Sequence, residues 1–302
     1  MATAVKGQTL DQQKREILEK YNLDFNITKT ELQANILTED GGLIVVPSGY
    51  YGLYNDKARK VINTVKEGYR VSQTGEVVEM VLKGMKGFGN LSITKGGSIH
   101  DGRKVYLQLE IKGKARIGGD DLIQYITIID SNDGSTGLSV GIGNLTMSCQ
   151  NQFFKFYKAG EMKAKHTGSL DAKILEMPHL ISLALSNNML LLDQFETFQK
   201  TKASKKLVDG LMEHLLGYEL DADITPRAKK NMDTLKSHMT KEIADKGLSA
   251  WGLLSGVTSW TTHEKQVPSR INGRIESLIV GTNYKTNIKA YDFLLDYCGL
   301  SL

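Results

Sequence analysis

The feature that most constrains this chain is a run of alternating side chains in its first half. In RKVYLQLEIKGK, the apolar residues Val105, Leu107, Leu109 and Ile111 alternate with other, mostly polar residues. A period of two residues places alternate side chains on opposite faces, so this run predicts a β-strand with one buried face.

Three more strands are predicted beside this one. LSITKGGSI precedes it across a turn that contains Asp101-Gly102, a pair that favours hairpins. DLIQYITIID and GLSVGIGNL follow it, and they are joined by SNDGST, whose residues tolerate tight turns. Four consecutive strands predict an antiparallel β-meander.

Helices are predicted on both sides of the meander. GEVVEMVLKGM precedes it and places Val77, Met80 and Val81 on one helical face. LTMSCQNQFFKFYKAG follows it, with apolar residues three or four positions apart and Gly160 as a stop. The predicted core unit is therefore a helix, a four-stranded meander and a second helix.

The remaining segments predict a mixed first half and a helical second half. A helix capped by Thr9 is expected for DQQKREILEKY, strands for NLDFNITKTELQANIL and GLIVVP, a helix for NDKARKVINTVKEG and a short strand for YRVSQ. Helices are then expected for LISLALSNNMLLLDQFETF after Pro178, SKKLVDGLMEHLLGY, TPRAKKNMDTLKSHMTKEIADKG, LSAWGLLSGVTSW and TNIKAYDFLLDYC.

We therefore predict an α+β fold, in which an antiparallel β-meander is flanked by helices and the C-terminal half is helical. Residues 1–175 are expected to form the mixed α/β core that contains the meander. Residues 176–302 are expected to form a mostly helical region packed on that core, because few of these helices are amphipathic enough to be stable alone.

Composition excludes several classes of protein. No apolar run reaches the roughly eighteen residues that a membrane span needs. Two cysteines are too few for a disulfide framework or a four-cysteine zinc site. We expect a cytoplasmic protein without a membrane partner. The ten Lys or Arg against four acidic residues between Lys57 and Lys104 are compatible with a polyanion partner, and equally with a solvated surface.

The sequence contains no complete motif for a cofactor or a metal ion. The sequence contains neither GxxxxGK[ST] nor GxGxxG after a strand. Gly84-Met85-Lys86-Gly87 is a GxxG, but it ends a predicted helix, where glycine is an ordinary stop. Asp130, Asn132 and Asp133 resemble the start of a calcium loop that lacks its bidentate acid. No cofactor or metal is therefore expected.

Catalytic residues are equally hard to identify. Cys149 lies at the start of a predicted helix, where the pKa of a thiol can fall, but no base is singled out beside it. Packing is the simpler role for a small apolar side chain. The six histidines form no HExxH motif, and no serine lies in GxSxG. The sequence gives no support to an enzyme.

One group of residues indicates nucleic acid binding. Rings and cations are interleaved in Phe153, Phe154, Lys155, Phe156, Tyr157 and Lys158, and Lys163, Lys165 and His166 follow. Rings can stack on bases and ammonium groups can bind phosphates, which is the combination found in single-strand binders. The alternative is that the predicted helix packs its rings into the core.

Several segments also resemble a known family. GGSIHDGRKVYLQLEI, GGDDLIQYITIIDSNDGSTGLSVGIGNLTMSCQNQ and KHTGSLDAKI resemble, in order, motifs of the phage- and plasmid-borne family named domain of unknown function 932. Residues 133–135 match its DGS motif, Cys149 and Asn151 its C.N pair, and residues 166–168 its HTG motif. YRVSQTGEVVEMV and AWGLLSGVTSWTTHEK are similar to further segments, so the likeness extends from about Leu23 to His263.

The chain departs from the family pattern in two places. Asn132 stands where the family has histidine, and Gly143-Asn144 stands where it has arginine. The resemblance implies a phage or plasmid setting among replication and recombination functions. The order of predicted elements, a basic helix, a meander and a long helix, also resembles the RecT/Erf-type single-strand annealing proteins, which assemble into rings or filaments. Such a fold-level likeness is a weak basis for function.

These observations lead to a functional prediction. We predict a phage or plasmid protein, acting in the host cytoplasm, that binds single-stranded DNA as a homo-oligomer and serves strand annealing in recombination or replication without a chemical step. The expected DNA-binding residues are Arg103, Lys104, Lys114, Arg116, Phe154, Lys155, Tyr157, Lys163, Lys165 and His166.

Two alternatives stay open. One is a protein-interaction or structural role without DNA binding, for example as an inhibitor of a host defence. The other is a metal-dependent nuclease, for which Asp120, Asp121, Asp130 and Asp133 form the only acidic cluster in the sequence worth testing.

Overall fold

A computed structural model describes residues 8–133, 135, 137–147, 150–156, 163–164, 170–265, 267 and 273–300, with the backbone alone at 114, 163–164 and 170–174. The fold is α+β with antiparallel sheets, and helices dominate its C-terminal half, which confirms the predicted class. Within the described ranges, no helix has the length and apolar character needed to cross a bilayer.

The first sheet contains three antiparallel strands in the order β1 (Ile27–Leu37), β2 (Leu43–Asn55) and β3 (Lys60–Val65). Because β3 pairs only with residues 51–55 of β2, the far parts of β1 and β2 continue as a two-stranded ribbon. A bulge marks the start of the ribbon, where Glu31 pairs with Tyr51 but Gln33 pairs with Pro47. Gly49 has a φ of 73° within this bulge, which glycine adopts without a steric penalty.

Two predictions in this region are wrong. The helix predicted for NDKARKVINTVKEG is a turn followed by β3, because the open edge of β2 offers a partner that a local pattern does not reveal. The strand predicted for YRVSQ is irregular. Its last residue, Gln73, instead makes two side-chain hydrogen bonds with the backbone of Ile27 at the start of β1, at 2.8 and 3.0 Å.

The second sheet confirms the predicted meander. Its strands are β4 (Leu91–Ile99), β5 (Lys104–Ile117), β6 (Asp120–Ser131) and β7 (Leu138–Thr146), and each pairs with the next. Val105, Leu107 and Leu109 of β5 are buried as expected. Tyr106 and Gln108 are buried too, so this part of the sheet is covered on both faces rather than on one.

The helix predicted to follow the meander is wrong where the structure describes that segment. Residues Gln152–Phe156 form a strand, β8, that pairs antiparallel with β7, and β9 (Lys163–Ala164) pairs with another part of β7. The ring of Phe154 lies across Gly143, its partner in β7, and the ring of Phe156 lies across Gly141. A glycine leaves room for such a ring, so β7 accepts an aromatic strand at its edge.

Two helices of the first half are confirmed. They are α1 (Leu10–Lys20) and α2 (Thr74–Gly84). The predicted capping box of α1 is present, because the Thr9 hydroxyl accepts from the Gln12 amide and the Gln12 side chain accepts from the Thr9 amide.

The second half consists of α3 (Leu170–Lys200), α4 (Lys205–Leu216), α5 (Pro226–Lys246), α6 (Ala250–Ser259), α7 (Gly273–Ile279) and α8 (Thr282–Tyr297), with a π-helical turn at Trp260–Glu264. Thr225 caps α5 with Pro226 at its first position, as predicted. Pro178 lies inside α3 and does not begin it, which corrects that prediction. α7 was not predicted.

The chain forms two compact units that are interleaved along the sequence. The first comprises Met1–Glu110, Ile126–Val140 and Tyr157–Leu183, and the second comprises Ile111–Tyr125, Gly141–Phe156 and Ala184–Leu302. Strands β5, β6 and β7 each contribute to both units.

Each unit has its own core. In the first, Gly84 of α2 allows close approach of Met177, since a Cβ at this position would lie 2.3 Å from the Met177 Cγ. In the second, Phe195 is the centre of an aromatic cluster, with ring centroids 4.9 Å from Trp251 and 5.5 Å from Phe153. Such edge and tilted contacts between rings add to the free energy gained from burial.

Candidate nucleic-acid interface

Lys104, one of the cations predicted to bind DNA, lies inside the first unit. It is 8% exposed, and its Nζ lies 3.6 Å from Oδ2 of Asp133 in the turn after β6. Burial acts to raise the pKa of Asp133, but hydrogen bonds from Ser135 and the charge of Lys104 outweigh it, so this pKa lies below its usual value. Lys104 therefore neutralises a carboxylate of its own fold.

Two predicted cations of the meander do reach solvent. Arg103 is exposed in the first unit, and Arg116 is exposed in the second. The Arg116 Nε lies 3.7 Å from Oδ1 of Asp121, with about two thirds of each side chain exposed. A pair of this kind is weak in water, so Arg116 can exchange Asp121 for a phosphate at little cost.

The described side chains of the aromatic and basic segment are buried or half-buried. Phe154 is 4% exposed beneath the second unit's surface. The Lys155 Nζ lies 4.2 Å from the centroid of the Tyr291 ring and donates a hydrogen bond of 3.2 Å to its hydroxyl. Burial lowers the pKa of Lys155, and the charge of Asp292 partly opposes this. Phe154 is therefore unavailable for stacking on a base, and Lys155 is half-buried and bound to Tyr291.

The side chains of five other predicted site residues lie outside what the structure describes. Tyr157, Lys165 and His166 lie outside the described residues, as does Cys149. Lys163 pairs with Ser139 through the backbone of β9, but its side chain, like that of Lys114, is not described.

The four aspartates of the nuclease hypothesis are divided between the two units. In the second unit, Asp120 is buried and Asp121 is exposed, because neighbouring residues of a strand face opposite ways. Asp130 and Asp133 belong to the first unit. Across the described ranges, no three His, Cys, Asp or Glu side chains gather as a metal-binding group.

Asp120 has a structural partner instead. Its Oδ1 accepts from the Lys246 Nζ at 2.8 Å, and its Oδ2 accepts from the Trp251 Nε1 at 3.0 Å. Glu242 lies 3.4 Å from the same ammonium group, and both carboxylates and the lysine side chain are less than 10% exposed. This buried ion cluster joins β6, α5 and α6 within the second unit.

Motif residues of the resemblance also have roles in the interior. Asn151, from the C.N pair, is 3% exposed and donates to Oε1 of Glu242 at 3.1 Å and to the carbonyl oxygen of Ser255 at 3.3 Å. Trp251, from the AWG segment, binds Asp120 as described. These residues therefore hold the second unit together.

A further set of exposed cations lies on α5, and it was not predicted from the sequence. Arg227, Lys229, Lys230, Lys236 and Lys241 are all exposed. Among the residues that the structure describes, none of these five forms an ion pair. Arg227, Lys230 and Lys241 share one stripe, since Lys230 and Lys241 are separated by eleven residues, about three turns.

The position of these charges on α5 is electrostatically unfavourable. The N-terminus of a helix carries a partial positive charge from its unpaired amides. The first turn of α5 contains no acidic residue, yet Arg227 and Lys229 lie in it. Cations in this position lower the stability of an isolated helix slightly, and a bound anion would reverse that effect. This absence of acidic residues was the available sequence signal.

Comparison with known proteins supports the family assignment. No curated protein and no solved structure matches the chain. The family described as Domain of unknown function (DUF932) matches residues 61–287, which is more than half of the chain. The segments that carried the resemblance in the sequence lie largely within this range. The chain therefore belongs to the DUF932 family of domains of unknown function.

Proposed function

We propose that this protein binds DNA by holding the phosphate backbone and performs no chemical step. The observation that carries the proposal is the exposed surface of α5, which bears five cations that form no ion pair with the described residues. Three of them share one stripe, and two lie in the first turn. Phosphate contacts of this kind supply most of the affinity of proteins that bind DNA without reading its sequence.

The proposal differs from the prediction in its residues. Lys104 and Lys155 bind partners within the protein, so α5 takes their place, with Arg103 and Arg116 as further exposed candidates. Single-stranded DNA stays the predicted ligand. Phe154 is buried, however, so binding is expected to depend on phosphates more than on stacked bases. The phage or plasmid setting, the cytoplasmic location and a role in recombination or replication remain parts of this proposal.

The test compares two double variants that change the charge equally. Lys230→Glu with Lys241→Glu reverses two unpaired cations on α5. Lys200→Glu with Lys205→Glu reverses two cations that are 78% and 89% exposed but already paired with Glu196 and Asp209. Fluorescence anisotropy with labelled single- and double-stranded oligonucleotides gives each affinity across a range of salt concentrations, and circular dichroism confirms folding.

We expect the α5 variant to lose at least about tenfold in affinity at low salt, and its log–log salt slope to become shallower by about 1.5 to 2. The matched variant should stay within about threefold of wild type, because Lys200 and Lys205 lie on α3 and α4, outside the proposed interface. Equal losses in both variants would show a response to net charge alone and would reject α5 as the interface. Undetectable binding by the wild-type protein at low salt would reject DNA binding.

A further inference from the structure

The ribbon formed by β1 and β2 is a large apolar surface without a partner in the structure. We define it as residues 33–37 and 43–47 with the turn that joins them, beyond the end of β3. None of its residues is buried. The described ribbon therefore contributes little to the core of the first unit, so packing in that core does not explain why its side chains are apolar.

The side chains at the tip are ones that proteins usually cover. Leu37 and Leu43 face each other across the two strands and are 74% and 64% exposed. Ile36, Ile44 and Val45 are each about half exposed, at 49–50%. Because neighbouring residues of a strand face opposite ways, Leu37, Leu43 and Val45 lie on one face of the ribbon, and Ile36 and Ile44 lie on the other. Both faces of the tip therefore expose apolar side chains, and exposed apolar residues gathered in this way mark an interaction site.

The charge of the ribbon restricts what can bind there. The sequence contains no Lys or Arg between Lys29 and Lys57, and Glu39 and Asp40 lie in the turn at the tip. A polyanion would be repelled by these carboxylates. A membrane would have to take both of them into its headgroup region before the leucines reached the acyl chains, and anionic lipids would oppose this.

The backbone of the ribbon favours an added strand. β1 is the edge strand of its sheet, so the N–H and C=O groups on its outer side have no partner strand among the described residues. The corresponding edge of β2 is interrupted by Pro47, which has no N–H, and by the bulge. Between Glu31 and Glu39, β1 contains neither charge nor proline, the two devices that usually protect an edge.

We propose that the ribbon is a self-association surface, on which the β1 edge pairs antiparallel with the β1 edge of a second copy of this chain. A two-fold arrangement brings the same uncharged segment of each copy together, so no like charges meet along residues 32–38.

The experiment measures the mass of the full chain by light scattering across concentrations. The test variant is Leu37→Glu with Leu43→Lys, which removes apolar contact but keeps a favourable pair across the hairpin. The control is Leu175→Glu with Met189→Lys, which makes the same two changes at apolar residues of α3 that are 79% and 69% exposed. Co-sedimentation with neutral phosphatidylcholine vesicles tests the membrane separately.

We expect wild type and control to have a mass of at least twice 33.4 kDa at micromolar concentration. The test variant should dissociate, with its dissociation constant raised about a hundredfold or more. A monomeric wild-type protein at about 100 µM, a test variant that assembles as well as the control, or wild-type protein that sediments with vesicles would overturn the proposal. These results are independent of DNA affinity, so they leave the proposed function to its own test.

Discussion

The two ends of α5 differ in the environment of their positively charged side chains. At the C-terminal end, the Lys246 side chain is 3% exposed and lies between Asp120 and Glu242. At the N-terminal end, Arg227, Lys229 and Lys230 are exposed and form no ion pair with any residue that the structure describes. The helix dipole favours the first arrangement and disfavours the second.

This difference separates charges that serve the fold from charges that are available for binding. A buried cation must have carboxylate partners, because an isolated charge in the interior is very costly. An exposed cation that lies against the dipole gives the isolated protein no benefit. The comparison therefore assigns Lys246 to stability and makes the N-terminal cations of α5 the candidates for the proposed phosphate contacts.

The largest expected effect on the free energy of unfolding comes from the buried ion cluster at the C-terminal end of α5. Asp120→Asn removes the carboxylate closest to the Lys246 ammonium group from a buried ion cluster, so we expect a loss of about 3 to 5 kcal/mol in the free energy of unfolding. Asp121→Asn, at the neighbouring exposed position, should change it by less than about 0.5 kcal/mol. Urea denaturation of both variants measures the difference. Asp120→Asn within about 1 kcal/mol of wild type would contradict the structural role of this cluster.

An intermediate effect on the free energy of unfolding is expected from Lys265, a half-buried cation. Its Nζ lies 5.0 Å from the Trp260 ring centroid and donates a hydrogen bond to the Thr286 hydroxyl. Burial lowers the pKa of Lys265 to about 8 from 10.5. In the unfolded chain the amine keeps its proton up to higher pH, so the unfolded state binds more protons between these values and stability rises with pH there.

Lys265→Met isolates this contribution. Relative to the variant, wild type should gain roughly 1 to 2 kcal/mol of unfolding free energy from pH 7.5 to 10.5, after allowance for the remaining exposure of the amine. Denaturation curves of both proteins at the two pH values give the quantity directly. A difference that does not change with pH would show that the lysine keeps an ordinary pKa in the fold.

Local patterns predicted much of the fold but not the pairing at the edges of its sheets. The alternation in β5 and the capping residues Thr9 and Thr225 act over a few positions, and all three predictions are confirmed. β3 and β8 were predicted as helices because their spacing is compatible with one. What decides their conformation is an open neighbouring strand, and for β8 also Gly141 and Gly143, which make room for its rings.

The candidate site was harder to predict for a related reason. Rings and lysines in one short segment are typical of nucleic-acid binders, but the same segment pairs with β7, where Phe154 is buried and the half-buried Lys155 contacts the Tyr291 ring. Lys104 and Lys246 are likewise committed to carboxylates that lie far away in sequence. For the cations of α5, the sequence signal was the absence of acidic residues from the first turn, and their lack of ion pairs with described residues required the structure.

The variant with the smallest expected change in stability gives the most direct test, because its stability should rise while its affinity for DNA falls. Arg227→Glu replaces a cation with an anion in the first turn of α5, so the free energy of unfolding should rise by about 0.3 to 1 kcal/mol. If this end of the helix binds DNA, affinity for a labelled oligonucleotide should fall several-fold and the salt slope should become shallower by about 1. Unchanged affinity, or a loss of affinity accompanied by a loss of stability, would contradict the account.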